Sequence, residues 1–442
     1  MIAATSSVST SPSPDGPSSG APQAAEAERL AAALSARTMG ARMSAALGAG
    51  DRPCHVLDAK YEPGVRAVVL YEYGKDLVRG DLLSAEAAAG SQGTVVSPGV
   101  RLSVFPHDPD LAALPQAMDP TVIGPLLADV LRAPRTGHGR ALRRRCRVGL
   151  LRYRPGRRAT VRVATGLPGA SYVAKVYHDQ DKASAVAREA LALAGTPAAG
   201  GVLRLAPTVA HLPTLSLVVQ LRVRGEGLGG LVSSTRGGSA EAAAGVRRAA
   251  VALGEMHDGP VVSARRRPVT KELNRFVARA RQIGTVDRLV GCTLLSLAER
   301  LLDTYAEIPA GPLGLVHGDC KPDQFLLDGD GPVYLLDLDH CGVADQAGDV
   351  GTFAASLRQL AVQRTAAGAA PTRTAHLHAL AETFVSTYTG RRELGVHTIR
   401  WYEVVALQRK AIRAFARSPR SPLPTALALE GHRCLDRLES AR

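Results

Sequence analysis

The stretch Leu315-Val-His317-Gly318-Asp319-Cys-Lys321-Pro-Asp323-Gln324, continued by Val333-Tyr-Leu-Leu-Asp337-Leu-Asp339, restricts this chain more than any other part of it. A short apolar strand ends in His-Gly-Asp, and an amide, Gln324, follows five residues beyond Asp319. A hairpin then returns through the apolar run 333–336 and delivers Asp337. A carboxylate at a strand tip, an amide oxygen and a second carboxylate are thereby brought to one mouth. All three are hard oxygen donors, which suits Mg²⁺ and not a soft metal.

Phosphoryl transfer needs such a set: one carboxylate to orient and deprotonate an attacking hydroxyl, others to hold metal on nucleotide phosphates, and a cation on those phosphates. Lys175 supplies the cation. It stands in the strand pattern Tyr172-Val-Ala-Lys175-Val-Tyr177, and only 7 of the 54 basic residues in the chain are lysines, so a lysine amid apolar strand residues needs a reason. An acidic partner is expected to hold it, and Glu189, in the helical stretch 183–194, is the natural one. Asp339 reads equally as a second acidic ligand or as a solvated neighbour. Asp345 and Asp349 are expected to tie the catalytic loop through backbone N–H groups, and His317 to brace it.

The rest of the chain divides by pattern. Residues 1–24 are Ser, Pro, Ala and Gly with almost no large apolar side chain, which predicts a disordered tail. Residues 25–48 carry Leu30, Leu34, Met39, Met43 and Leu47 near helical spacing. Short apolar runs broken by Gly and Pro read as strands between 54 and 105, and again at 147–153, 159–164, 171–177 and 215–222. Residues 120–133 read as helix, and beyond 240 the chain is mostly helical apart from a turn-rich segment at 311–352. One echo stands out: Tyr61-Glu-Pro63-Gly64-Val-Arg66-Ala67-Val-Val69 recurs 92 residues later as Tyr153-Arg-Pro155-Gly156-Arg-Arg158-Ala159-Thr-Val161, with six of nine positions alike. Each copy sets Pro-Gly in a turn before a β-branched strand, as two small sheets built alike would.

Composition excludes several classes. With 45% hydrophobic and 21% charged residues over 442 positions, the chain has a globular balance and more than one core's worth of length. No apolar run reaches the roughly 18 residues a membrane span needs. The net charge of +14 raises nucleic acid as a partner, but the arginines are spread over the whole length with no binding stripe, so no nucleic-acid partner is expected. Six scattered cysteines without a CxxC pair read as free thiols of a reducing cytoplasm, and no charged n-region leads into an apolar segment at the N-terminus.

His317-Gly-Asp319, Gln324 and the Asp337…Asp345…Asp349 series together resemble the aminoglycoside phosphotransferase and choline kinase-like branch of the protein-kinase fold, over about 146–440. The resemblance implies an α+β, bilobal protein-kinase-like fold, with a β-rich small lobe at 146–225, a helical catalytic lobe at 226–442, and an N-terminal helix and β-rich cap domain at 25–145. It implies ATP and Mg²⁺ as cofactors, with Asp319 as catalytic base, Asp337 and Gln324 on the metal, Lys175 on phosphate and Glu189 as the helix partner of that lysine. The segment Leu217-Val-Val-Gln220-Leu-Arg-Val223 takes the place of the hinge whose backbone meets adenine. Leu253-Gly-Glu-Met-His257 resembles the helix that precedes the catalytic region. Gln stands where the family usually has Asn, as in its maltokinase-like members, which also carry an N-terminal cap. The implied acceptor is a small hydroxylated molecule, a sugar or amino sugar first and an aminoglycoside next.

Other readings compete. A catalytically silent kinase-like protein that binds nucleotide or a partner is motivated by Gln324 and by the lack of a glycine-rich lid. A protein kinase is disfavoured by Gly318 after His317 and by the short Asp337–Asp345 interval. Gly225-Glu-Gly227-Leu-Gly-Gly230 matches GxGxxG without the strand–turn–helix unit that gives the motif meaning. Arg154, Arg157 and Arg158 flank a Pro-Gly turn and read either as phosphate contacts or as a solvated basic turn. Trp401 and Tyr402 read as core, or as part of an acceptor pocket.

Overall fold

The computed structural model describes residues 20–441 apart from 49, 85–86, 88–93, 98, 132–136, 168–170, 195–200, 235–238, 371 and 373. The predicted tail falls on residues 1–19, outside the described residues, and on 20–24, which are helical. The predicted single helix over 25–48 is two, α1 (Gly20–Ala33) and α2 (Ala36–Leu47). The break is local: Ser35 is extended, and its hydroxyl accepts the Thr38 N–H, capping α2.

An antiparallel sheet of β1 (Cys54–Glu62), β2 (Arg66–Tyr73), β3 (Asp76–Leu82), β4 (Thr94–Val96) and β5 (Val100–Val104) follows, in the order β1-β2-β3-β5-β4. Ala33, Met39 and Met43 pack on one of its faces against Tyr71, Tyr73 and Val78. Short helices α3 (Leu114–Met118), α4 (Pro120–Val130) and α5 (Gly137–Arg145) lead into a second antiparallel sheet. It contains β6 (Arg147–Arg154), β7 (Arg158–Ala164), β8 (Ser171–Tyr177), β10 (Thr208–Leu212) and β11 (Leu217–Leu221), ordered β10-β11-β8-β7-β6. Strand alternation sorts its residues. Ala174, Val176, Leu217 and Val219 face Leu114, Ile123 and Leu127. Tyr177 and Val218 face Val186 and Ala187 of α6 (Gln180–Ala194). Lys175 is two residues from Tyr177 and pairs with Val218, so it shares the α6 face.

The two copies of the repeated segment occupy matching places. Each is a hairpin whose glycine takes the left-handed turn conformation, Gly64 at φ +67 and Gly156 at φ +65. Each is followed by a third antiparallel strand. In the first copy Val68 pairs with Asp81; the equivalent Thr160 pairs with Lys175 in the second. Two sheets of one plan thus differ in sign at the position that matters chemically.

The remaining chain is mainly helical: α7 (Leu228–Ser233), α8 (Ala240–Asp258), α9 (Val269–Gly284), α10 (Arg288–Tyr305), α11 (Ala347–Ala366), α12 (Ala375–Thr389), α13 (Val396–Arg417) and α14 (Leu423–Ser440). Its core gathers Leu253, Met256, Phe325, Phe353 and Phe384, with the last two rings stacked at 3.6 Å. Trp401 is fully buried, and its Nε1 donates to Thr304 Oγ1 at 3.0 Å, so the core reading holds for it. Short strands frame the catalytic segment: β12 (Glu226–Gly227) before α7, then β13 (Leu313–Val316), β14 (Phe325–Leu327), β15 (Val333–Leu335) and β16 (Gly342–Asp345) between α10 and α11. Leu203–Leu205, β9, joins this lobe by pairing in parallel with β15, a crossover no local pattern announces.

The N-terminal sheet also touches the helical lobe. Tyr61 and Ala67 bury against Leu407 and Phe415, and the turn after β1 is held by Arg279 on Glu62 at 2.9 Å and by the Gln282 amide on the Pro63 carbonyl.

Candidate active site

The catalytic loop is built backbone first. Gly318 has φ +76, and a Cβ there would collide with the Arg267 guanidinium and the His340 carbonyl, so only glycine fits. Asp349, at the start of α11, accepts the His317 N–H at 2.6 Å and the Gly318 N–H at 2.8 Å, while His257 contacts it at 3.1 Å. His317 is buried: its Nε2 donates to the Leu336 carbonyl at 2.7 Å, and its Nδ1 accepts the Asp319 N–H at 3.3 Å. The Leu336 N–H returns to the Gln324 carbonyl at 2.8 Å. The 317–324 loop is thereby tied to the residue preceding Asp337. Arg267 adds a staple, donating to the His340 and Gly318 carbonyls, and Arg265 donates to the Asp339 carbonyl at 3.0 Å. Asp349 serves the loop as expected. Asp345 does not: it accepts from Gly311 and Ala347, both at 2.9 Å, because it caps the entry to α11.

Asp319 is contacted by the Lys321 ammonium at 2.5 Å and by the Gln324 amide nitrogen at 3.4 Å, with Arg413 at 3.7 Å. Burial alone would raise its carboxyl, but Lys321 and Arg413 outweigh that and hold it well below the usual carboxylate range. Burial pushes His340 down to about 3, so that imidazole is neutral.

Asp337 is in the left-handed region, φ 63 and ψ 59, a conformation disfavoured for side-chain-bearing residues and tolerated by Asp better than by most. The Lys175 ammonium meets it at 2.8 Å and meets Asp339 at 3.1 Å. Arg158, the first residue of β7, bonds Asp337 through two nitrogens at 2.8 and 3.1 Å and also bonds Asp339. Tyr177 donates to Asp339 at 2.8 Å. Burial would raise the Asp337 carboxyl; Lys175 and Arg158 overcome this and drive it far down. Asp339 is nearly inaccessible, so the solvated reading of that residue is replaced by a structural pairing.

Glu189 does not partner Lys175. The Ser263 hydroxyl donates to it at 2.6 Å, its other oxygen is buried without a partner, and the lysine is already neutralised by two aspartates. Gln220 lies on β11, where its amide nitrogen approaches the Ala206 carbonyl at 3.4 Å, and Val223 is half-buried in the extended link beyond that strand. Arg158 was legible only as part of a basic turn. The clue was its place in the repeat, two residues past Gly156, where register sets it opposite Tyr177.

A second pinning point lies under that turn. Asp108 accepts the Tyr153 hydroxyl at 2.7 Å and the Gly156 N–H at 2.8 Å. Arg79 bonds Asp108 and reaches Asp81 and Asp110, each at 2.7 Å. The N-terminal sheet thus holds the turn that carries Arg154, Arg157 and Arg158.

Above the catalytic loop lies a cavity of about 580 Å³, lined by Asp319 and Lys321, by Arg154 and Arg157, by Lys60 and Val68 of the N-terminal sheet, and by Lys410 and Arg413 of α13. Asp337 and Asp339 offer carboxylate oxygens, which suit a hard divalent cation, and Lys175 and Arg158 pair with both of them. Among the described residues no helix is long and apolar enough to cross a membrane.

No curated protein matches the chain. Among solved structures it is similar to a choline/ethanolamine kinase family protein from Mesorhizobium loti, at 15% identity over 66% of this chain and 87% of that one, TM-score 0.44. It is also similar to choline kinase from Cryptosporidium parvum Iowa II, at 11% identity over 71% and 95%, TM-score 0.48. A third is macrolide 2'-phosphotransferase from Brachybacterium faecium, at 15% identity over 64% and 90%, TM-score 0.39. The sequence matches the phosphotransferase enzyme family, abbreviated APH, over residues 150–383, more than half of its length, and the chain belongs to that family.

Proposed function

We propose that the protein transfers the γ-phosphoryl group of ATP, with Mg²⁺, to a hydroxyl of a small polar acceptor of the sugar class. The observation that supports this best is the backbone linkage of the Asp319 loop to Leu336, which sets a base-bearing loop beside a carboxylate pair faced by Lys175. In the reaction the acceptor oxygen forms a bond to the γ-phosphorus, the bond from that phosphorus to the β-bridging oxygen breaks, and ADP leaves. Asp319 orients the hydroxyl and receives its proton. Its depressed affinity for protons makes it a positioning carboxylate first, which suits a loose transition state in which little deprotonation is needed at the outset. Lys175 would hold phosphate oxygens, and Asp337 and Gln324 would hold the metal. When bound, Mg²⁺ supplies charge neutralisation on the transferring phosphates. The cavity's excess of cations disfavours a polycationic aminoglycoside.

The pairing of Asp337 and Asp339 with two protein cations favours a second reading, a silent nucleotide- or partner-binding member of the fold. ADP formation from Mg-ATP across a panel of sugars, amino sugars and aminoglycosides separates the two. Turnover that vanishes in Asp319→Asn supports the enzyme; identical behaviour of wild type and variant with every acceptor supports the silent fold.

A further inference from the structure

The cavity beside Asp319 is short of negative charge. Eight cationic side chains line the cavity against three carboxylates. Two of those carboxylates already have basic neighbours: Asp319 has Lys321, and Asp58 has Arg417 at 3.7 Å. Lys410 and Arg413 lie one turn apart on α13, hence on one helical face. Among the described residues the Lys410 ammonium is hydrogen-bonded by neutral groups alone, the Ser356 hydroxyl and the Gln359 amide oxygen, both at 3.0 Å. An ammonium has three donors, so one remains for a ligand. Arg413 approaches Asp319 no closer than 3.7 Å, beyond hydrogen-bond reach, and its side chain, which lines the cavity, is more than half exposed.

We infer that Lys410 and Arg413 form an anion subsite for the acceptor, so that the phosphorylated molecule carries a phosphate or carboxylate of its own besides the hydroxyl. This deepens the kinase reading and rests on it for the word acceptor; the subsite itself rests on the cavity alone. Burial, with Lys321 and Arg413 nearby, outweighs the pull of Asp319 and pushes Lys410 down to about 7. Asp319 faces both Lys410 and Arg413 and is shared with Lys321, so a bound anion would add negative charge where three cations gather around a single carboxylate. Placement supports the role. Arg413 comes to 3.7 Å from Asp319 and Lys410 lines the same cavity, so an acceptor anchored there by its anion would present a hydroxyl toward the base. The N-terminal sheet completes the wall with Lys60, whose ammonium is already engaged by Glu62 at 2.9 Å.

The anion could instead be a nucleotide phosphate, and the test separates these sources. The full chain is titrated with sodium sulfate at constant ionic strength by calorimetry, alone and saturated with Mg²⁺ and AMP-PNP. The expected result is saturable sulfate binding that persists with nucleotide bound, is weakened about tenfold or more in Lys410→Met and in Arg413→Met, and is recovered in Lys410→Arg. Sulfate binding that disappears when AMP-PNP is present assigns the cations to the nucleotide and overturns the inference. So does binding indifferent to both substitutions. If AMP-PNP fails to bind while sulfate still tracks Lys410, the kinase reading falls and the anion subsite stands.

Discussion

Arg158 bridges the two acidic side chains Asp337 and Asp339, gripping the first through both terminal nitrogens and the second through one of them. The guanidinium thus supplies positive charge beside two buried carboxylates. A metal would compete with it for the carboxylate oxygens and nucleotide phosphate would compete with the carboxylates for its N–H groups, so loading the site should loosen this fork.

That competition predicts how Arg158→Met behaves. Removing a hydrogen-bonded charge from a buried pair should cost on the order of 2 kcal/mol, tempered because Lys175 remains. Added Mg²⁺ should then stabilise the variant more than wild type, since the cation replaces the lost charge. Melting temperatures measured against MgCl₂ concentration check this, and equal responses would contradict it.

Asp319→Asn should keep AMP-PNP affinity within about threefold and lower kcat by about 10²–10⁴, the usual worth of a positioned base. Steady-state kinetics with the best acceptor from the panel supply the number. A loss confined to KM would mean that Asp319 only binds.

Asp108→Ala should act at a distance. Its side chain is fully buried beneath the Tyr153–Arg158 turn, so truncation leaves Arg79 short of a partner and frees the Gly156 N–H. A stability loss of about 3–5 kcal/mol is expected, as for other broken buried pairs. A raised KM for ATP should accompany it, because the turn carrying Arg158 is no longer pinned. Chemical denaturation together with ATP kinetics tests both, and an unchanged KM would separate the N-terminal sheet from nucleotide binding.

Acid should unfold the protein partly through Asp337. Its folded-state pKa is depressed by Lys175 and Arg158, which overcome burial, so its contribution to stability is full above the unfolded carboxylate value of about 4. That contribution is lost as pH falls below this value toward the folded one. Asp337→Asn should therefore show a shallower fall in denaturation free energy below about pH 4 than wild type, measured in the absence of metal.

The sequence by itself determined the chemistry-bearing loop. His317-Gly-Asp319 and Gln324 are close neighbours in the chain, and the apolar run 333–336 brings Asp337 back beside them, so local spacing was enough to find them. Lys175 was legible because an ammonium in an apolar strand is costly to bury unless an opposite charge meets it. The hairpins of the repeat were legible from Pro-Gly before a β-branched run. Tertiary structure alone decided who neutralises whom. Glu189 sits on the helix facing Lys175, yet Ser263 takes it and the lysine turns to Asp337 and Asp339, since ion pairing is settled by distances between side chains 162 and 164 residues apart. The break at Ser35, the parallel entry of β9 beside β15 and the hold of Asp108 on the Gly156 turn are of the same kind. Each depends on contacts between segments whose local patterns are silent about one another, and only the packed chain brings them within reach.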